Sequence, residues 1–135
     1  MNVIVAGLSH KTAPVEIREK LSFAPQELAL PLQSIANLPE ISEGIILSTC
    51  NRVEILFSSR EEEKAIRAIT GFLADHHTIP LDTIAPHLYF LTGQEAVKHV
   101  FRVASSLDSM IVGEPQILGQ MKDAYRLAVA SSCRA

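Results

Sequence analysis

Short apolar runs alternate with polar breaks along the chain, at the period of strands in some places and of helices in others. Val3-Ile4-Val5-Ala6 is apolar at every position, which predicts an inner strand ending at Gly7. Thr12 or Ala13 should then open a short helix, with Pro14 in its first turn and Ile17 and Leu21 one turn apart. Leu28, Leu32 and Ile35 at i, i+4 and i+7 predict a second helix starting at Pro25, kinked or interrupted at Pro31 and ended by Pro39. Gly44-Ile45-Ile46-Leu47 reads as a short buried strand. After it, Val53, Ile55 and Phe57 alternate with Glu54, Leu56 and Ser58 as in a half-buried strand. The residues between them, Ser48-Thr49-Cys50-Asn51-Arg52, fall at a tight connection on the sheet rim.

Ser59 and Glu62 have capping-box spacing ahead of a helix carrying Ala65, Ile66, Ile69, Phe72 and Leu73, and its end near His76 is expected to fray. His87-Leu88-Tyr89-Phe90-Leu91 predicts a fourth strand. Thr92 and Glu95 repeat the capping spacing before a helix whose stripe is Ala96, Val97, Val100, Phe101, Ala104 and Leu107. His99 falls just off the edge of that stripe, where an imidazole packs at a boundary or reaches a cleft. Glu114-Pro115 opens a last helix, with Gln116 and Gln120 one turn apart, either as a solvated flank or toward a polar ligand. The order is βαββαβ followed by helices. It predicts an α+β fold: a ferredoxin-like antiparallel sheet over 1–91 and a helical extension over 92–135 that together make one compact domain.

Composition narrows the classes. A chain of 135 residues, 47% apolar and 20% charged, has room for one domain with a real core. Its net charge of −3 gives no general grip on nucleic acid or an anionic membrane, so an RNA partner must be held by local patches or by further protein. No apolar run is long enough to span a membrane, and Met1-Asn2-Val3 does not start like a signal peptide. With only Cys50 and Cys133, a reduced, cytoplasmic chain is expected. Asp75, His76, His77 and Asp82 lack metal-ligand spacing, so no metal is expected. The Gly113–Gly119 stretch has Gln120 where a phosphate loop needs lysine, and no Gly-x-Gly-x-x-Gly is present.

Cys50 stands between small polar residues and Arg52, a setting that suits a nucleophile or a small half-buried turn residue. The stretch Ser48-Thr49-Cys50-Asn51-Arg52-Val53-Glu54 resembles the catalytic-cysteine motif of glutamyl-tRNA reductases. Two further stretches resemble the same family in the same order: Gly7-Leu8-Ser9-His10-Lys11-Thr12-Ala13-Pro14-Val15 and Gly113-Glu114-Pro115-Gln116-Ile117-Leu118-Gly119-Gln120. The resemblance covers the front part of a family member. NADPH-binding and dimerisation domains are therefore expected outside this chain.

The resemblance implies that Cys50 attacks the aminoacyl ester of glutamyl-tRNA and holds glutamate as a thioester. The full enzyme would reduce that thioester with NADPH to glutamate-1-semialdehyde for tetrapyrrole synthesis. A thiol suits this work as a strong nucleophile, although only about 3% is thiolate at neutral pH without activation. By the same resemblance Arg52 binds the substrate carboxylate, and Thr49 and Asn51 line the pocket. Ser109, Glu114, Pro115, Gln116 and Gln120 contact substrate, and His99 matters for activity by orienting substrate or acting as a base. It further implies a homodimer formed through another domain and, as a channelling partner, glutamate-1-semialdehyde aminomutase. Two rival classes use the same residues: a cysteine acyl hydrolase built on Cys50 and His99, and a non-enzymatic ligand-binding module in which Cys50 is incidental.

Overall fold

The computed structural model describes residues 2–49 and 51–110; for Pro25, Phe101 and residues 104–110 only the backbone course is described. Strand β1 (Asn2–Ser9) leads to helix α1 (Val15–Leu21). A 3₁₀ turn (Pro25–Glu27) and helix α2 (Ala29–Ala36) precede strands β2 (Glu43–Ser48) and β3 (Arg52–Ser59). Helix α3 (Glu62–His77), a short helix α4 (Leu81–Ile84) and a second 3₁₀ turn (Ala85–His87) lead to strand β4 (Tyr89–Thr92) and helix α5 (Gly93–Met110). The sheet order is β2-β3-β1-β4 with every neighbouring pair antiparallel. This is the α+β architecture expected from the sequence, and the order is compatible with the ferredoxin-like arrangement.

Ile4, Ala6 and Leu8 of β1 and Val53, Ile55 and Phe57 of β3 face one way and form the main core with Leu21, Leu32, Ile35, Ile69 and Leu73 from the helices. The central position of β1 follows from its apolar run. The strand is longer than expected, because Gly7, Leu8 and Ser9 pair with Glu54, Val53 and Arg52. Pro31 does not kink a longer helix. The break falls earlier, at the 3₁₀ turn, and Pro31 sits in the first turn of α2, where a missing N–H breaks no helical bond.

Other differences have local causes. Ser59 does not cap α3; its hydroxyl donates to the Glu40 carbonyl and accepts the Glu61 N–H, and the helix starts later without a side-chain cap. The end of α3 is closed rather than frayed. Thr78 adopts a left-handed conformation (φ 55°), and the Thr78 and Ile79 N–H groups return to Asp75 and Ala74 carbonyls. His87 lies in the 3₁₀ turn before β4, where its Nδ1 is 3.0 Å from the Thr12 carbonyl oxygen. No helix among the described residues is long and apolar enough to cross a membrane.

The two histidines closing α3 pack against aromatic rings. His77 meets Phe23 edge-on at 4.7 Å between ring centroids, and His76 lies 5.2 Å from the same ring. Burial, with the neighbouring His76 charge adding to it, lowers the His77 pKa from 6.5 to about 4. The unfolded chain therefore binds a proton between those values that the folded chain does not. Stability is complete above about pH 6.5 and falls as the pH drops toward about 4. A thermal-melt series over this window should show the loss, and His77→Phe should flatten the slope between pH 6.5 and 5 relative to the parent.

Candidate active site

The second face of the sheet is covered by α5. Strand alternation places Val5, Gly7 and Ser9 of β1 on that face, and the register lines up Leu47, Glu54, Gly7 and Tyr89 as one row across all four strands. Glu54, expected on the outer face of a half-buried strand, is instead only 1% exposed. β3 is a central strand covered on both faces, so its alternation marks which side each residue takes, not which side meets water.

One carboxylate oxygen gathers the polar groups of this face. Glu54 Oε2 lies 2.5 Å from the Tyr89 hydroxyl, 2.5 Å from His99 Nε2 and 3.3 Å from Arg52 Nη1. Burial, and then the adjacent Glu54 charge, push the Tyr89 phenol well above the ordinary range, so it keeps its proton and donates to the carboxylate. The Tyr89 and His99 rings meet edge-on with centroids 5.9 Å apart. His99 is 14% exposed and Arg52 23%, so both sit at the boundary of the buried site.

Placement of His99 refines the expected stripe of α5. Ala96 and Val103 are buried and His99 and Val100 half-buried, whereas Val97 is 41% exposed. The helix is thus turned so that His99 lies within its packed face. The reason is the carboxylate beneath it: a charged partner in the sheet puts an imidazole in the stripe that a purely apolar face would give to Val97.

Backbone space makes room for Glu54. A Cβ on Gly7 would lie 2.4 Å from the Val53 carbonyl oxygen and 2.8 Å from Glu54 Cγ, so only glycine lets the glutamate side chain cross β1.

The turn that carries position 50 is braced on both sides. The Thr49 N–H donates to the Arg52 carbonyl at 2.8 Å, and Thr49 Oγ1 accepts the Asn51 and Arg52 N–H groups, each at 3.1 Å. The Asn51 carbonyl accepts the His10 N–H at 2.8 Å, tying this turn to the one after β1. That second turn is itself held by Thr12 Oγ1 accepting the Ser9 N–H and Ser9 Oγ accepting the Lys11 N–H. Ser48 is buried, and its hydroxyl accepts the Phe23 N–H.

Of the expected site residues, the structure brings Arg52 and His99 together on one carboxylate and sets Thr49 and Asn51 beside Arg52 in the turn. Thr49's oxygen is committed to holding that turn, and the Asn51 side chain is exposed. Cys50, Glu114, Pro115, Gln116 and Gln120 lie outside the described residues, as does the Ser109 side chain. Glu54 and Tyr89 were not singled out from the sequence. The i, i+2 spacing of Arg52 and Glu54, which puts both on one face of a strand, was the available signal.

Two substitutions test this scaffold. Gly7→Ala should destabilise the fold by about 1–3 kcal/mol through overpacking against backbone, read as a lower urea midpoint. Thr49→Val should cost about 1–2 kcal/mol by leaving two turn N–H groups without their acceptor, while Thr49→Ser should stay close to the parent.

Comparison with known proteins identifies the family. The family model described as "Glutamyl-tRNAGlu reductase, N-terminal domain" matches residues 6–134. The glutamyl-tRNA reductase of Geotalea daltonii is 58% identical over 128 residues, 95% of this chain and 30% of that protein. That of Syntrophotalea carbinolica is 55% identical over the whole chain, again 30% of the relative. Among solved structures, glutamyl-tRNA reductase from Methanopyrus kandleri superposes with a TM-score of 0.67 at 31% identity, covering 98% of this chain and 29% of that one. The chain spans about 30% of the length of the curated relatives it matches. On the match over residues 6–134, the chain belongs to the glutamyl-tRNA reductase N-terminal domain family.

Proposed function

We propose that this chain is the acyl-accepting part of a glutamyl-tRNA reductase and that Cys50 is its nucleophile. The observation that carries the reading is that the half-buried Arg52 guanidinium, at the end of the turn braced by Thr49, and His99 meet on one buried carboxylate. In this reading the Cys50 thiolate attacks the ester carbonyl of glutamyl-tRNA. A carbon–sulfur bond forms, the ester carbon–oxygen bond breaks, and the terminal ribose oxygen leaves with a proton. The product is a glutamyl thioester and free tRNA.

Arg52 is the proposed clamp for the glutamate side-chain carboxylate. Glu54 meets one of its terminal nitrogens, Nη1, from the buried side. A guanidinium has five N–H donors in a rigid fork, so an acceptor on one side leaves donors for another. Asn51, with Ser109 and the segment from Glu114 to Gln120, would complete the pocket, and 92–135 would serve as its helical wall. The acidic balance of the chain argues that most of the tRNA is gripped elsewhere in the longer protein.

A nicotinamide dinucleotide does not fit the residues described. Gly7 and Gly44 are locked inside strands against neighbouring backbone, Gly71 lies within α3 and Gly93 begins α5. The turn after β1, Ser9-His10-Lys11-Thr12, contains no glycine, and its N–H groups are taken up by Thr12 Oγ1, the Asn51 carbonyl, Ser9 Oγ and the Ser9 carbonyl. NADPH, as the reductant of the full enzyme, is assigned to the part of the protein beyond this chain.

Intact-mass analysis after incubation with glutamyl-tRNA tests the assignment. One glutamyl adduct is expected, abolished by Cys50→Ser and retained in Cys133→Ser. An adduct that survives Cys50→Ser and disappears in Cys133→Ser overturns it.

A further inference from the structure

The contacts around Glu54 carry a conclusion about which nitrogen of His99 is free to act, and it deepens the reading of Cys50 and His99 as working residues. Glu54 Oε2 has three neighbours within hydrogen-bond reach: Arg52 Nη1 at 3.3 Å, the Tyr89 hydroxyl at 2.5 Å and His99 Nε2 at 2.5 Å. The arginine can only donate, and Tyr89 keeps its proton against this carboxylate. An oxygen already accepting from two donors, one of them a guanidinium, remains an acceptor toward the third. The opposite arrangement would put a proton on Glu54 and aim it at a lone pair on Nε2. That would leave the half-buried guanidinium beside a neutral carboxyl that is 1% exposed, with no charge among the described residues to pair it.

We propose that Glu54 locks His99 in the Nε2–H tautomer, so that Nδ1 is the ring nitrogen available for chemistry at Cys50. Neutral imidazole has one N–H and one lone pair, and fixing the first assigns the second. The thiol proton would pass to Nδ1, leaving a thiolate to attack the ester and an imidazolium braced by Glu54. The same proton then goes to the departing ribose oxygen, which restores neutral His99. Glu54 and Tyr89 are positioning residues in this scheme. Tyr89 holds the carboxylate from β4, its ring edge-on to that of His99, and Gly7 leaves the space in which the carboxylate lies.

The test is nitrogen-15 NMR of the histidine rings in the uniformly labelled chain. It is recorded at a pH high enough that the ring signals no longer move, with His99 assigned by the signals lost in His99→Gln. The expected pattern is a protonated, pyrrole-type Nε2 and a pyridine-type Nδ1, and the reverse pattern overturns the proposal. Glu54→Gln keeps the acceptor oxygen and the shape but removes the charge, so an Nδ1–H population should appear. A spectrum still wholly Nε2–H in that variant would mean that the Glu54 charge is not the lock. Tyr89→Phe, which leaves the carboxylate in place, should retain the Nε2–H pattern, and its loss there would count against Glu54 as the determinant. These readouts do not depend on turnover. Acylation of Cys50 with the reversed tautomer would sink this proposal alone, whereas the expected tautomer without acylation would sink the functional reading alone.

Discussion

A carboxylate buried between a sheet and a helix organises the second face of this domain. Taking a lone carboxylate out of water costs several kcal/mol even after relaxation, and hydrogen bonds to charged groups offset roughly 1.5–3 kcal/mol each. Glu54 is tolerable only because Tyr89, His99 and Arg52 converge on it from β4, α5 and its own strand. Each element has to be in place before the carboxylate is satisfied. The contact between Glu54 and His99 therefore also selects how α5 docks.

The two faces of the sheet are held by different physics. One is an apolar core in which Ile4, Leu8, Ile55, Leu32 and Ile69 are buried, with interactions that are additive and non-directional. The other has few apolar anchors, among them Val5, Leu47, Ala96 and Val103, and relies on a directional polar cluster. Directional contacts set side-chain geometry tightly, which suits a face that must hold an imidazole and a guanidinium in fixed positions. The apolar face supplies the rigidity against which they are held.

The loops at the rim follow the same division. Thr49, Ser9 and Thr12 look like site residues by type, yet their hydroxyls are engaged with nearby backbone N–H groups. Such local bonds hold two turns in register beside each other, linked by His10 and Asn51. The polar residues that reach across the site come from regular elements instead: Arg52 and Glu54 from β3, Tyr89 from β4 and His99 from α5.

Local patterning was enough to determine the order of the four strands and the main helices between them, the inner position of β1, the tight turn between β2 and β3, and Leu28, Leu32 and Ile35 as one buried stripe, though not the short helix α4. These depend on periodicity and on proline and glycine positions, which act over a few residues. The family motif around Arg52 was likewise legible, because its residues are neighbours in the chain. Tertiary structure alone decided that Glu54 is buried and that Val97 yields the packed face of α5 to His99. An alternating strand looks the same whether its second face meets water or a helix, and residues 45 positions apart, such as Glu54 and His99, leave no periodic trace of their contact. What covers a face is a property of the whole fold, and the meaning of each polar residue on that face waits on it.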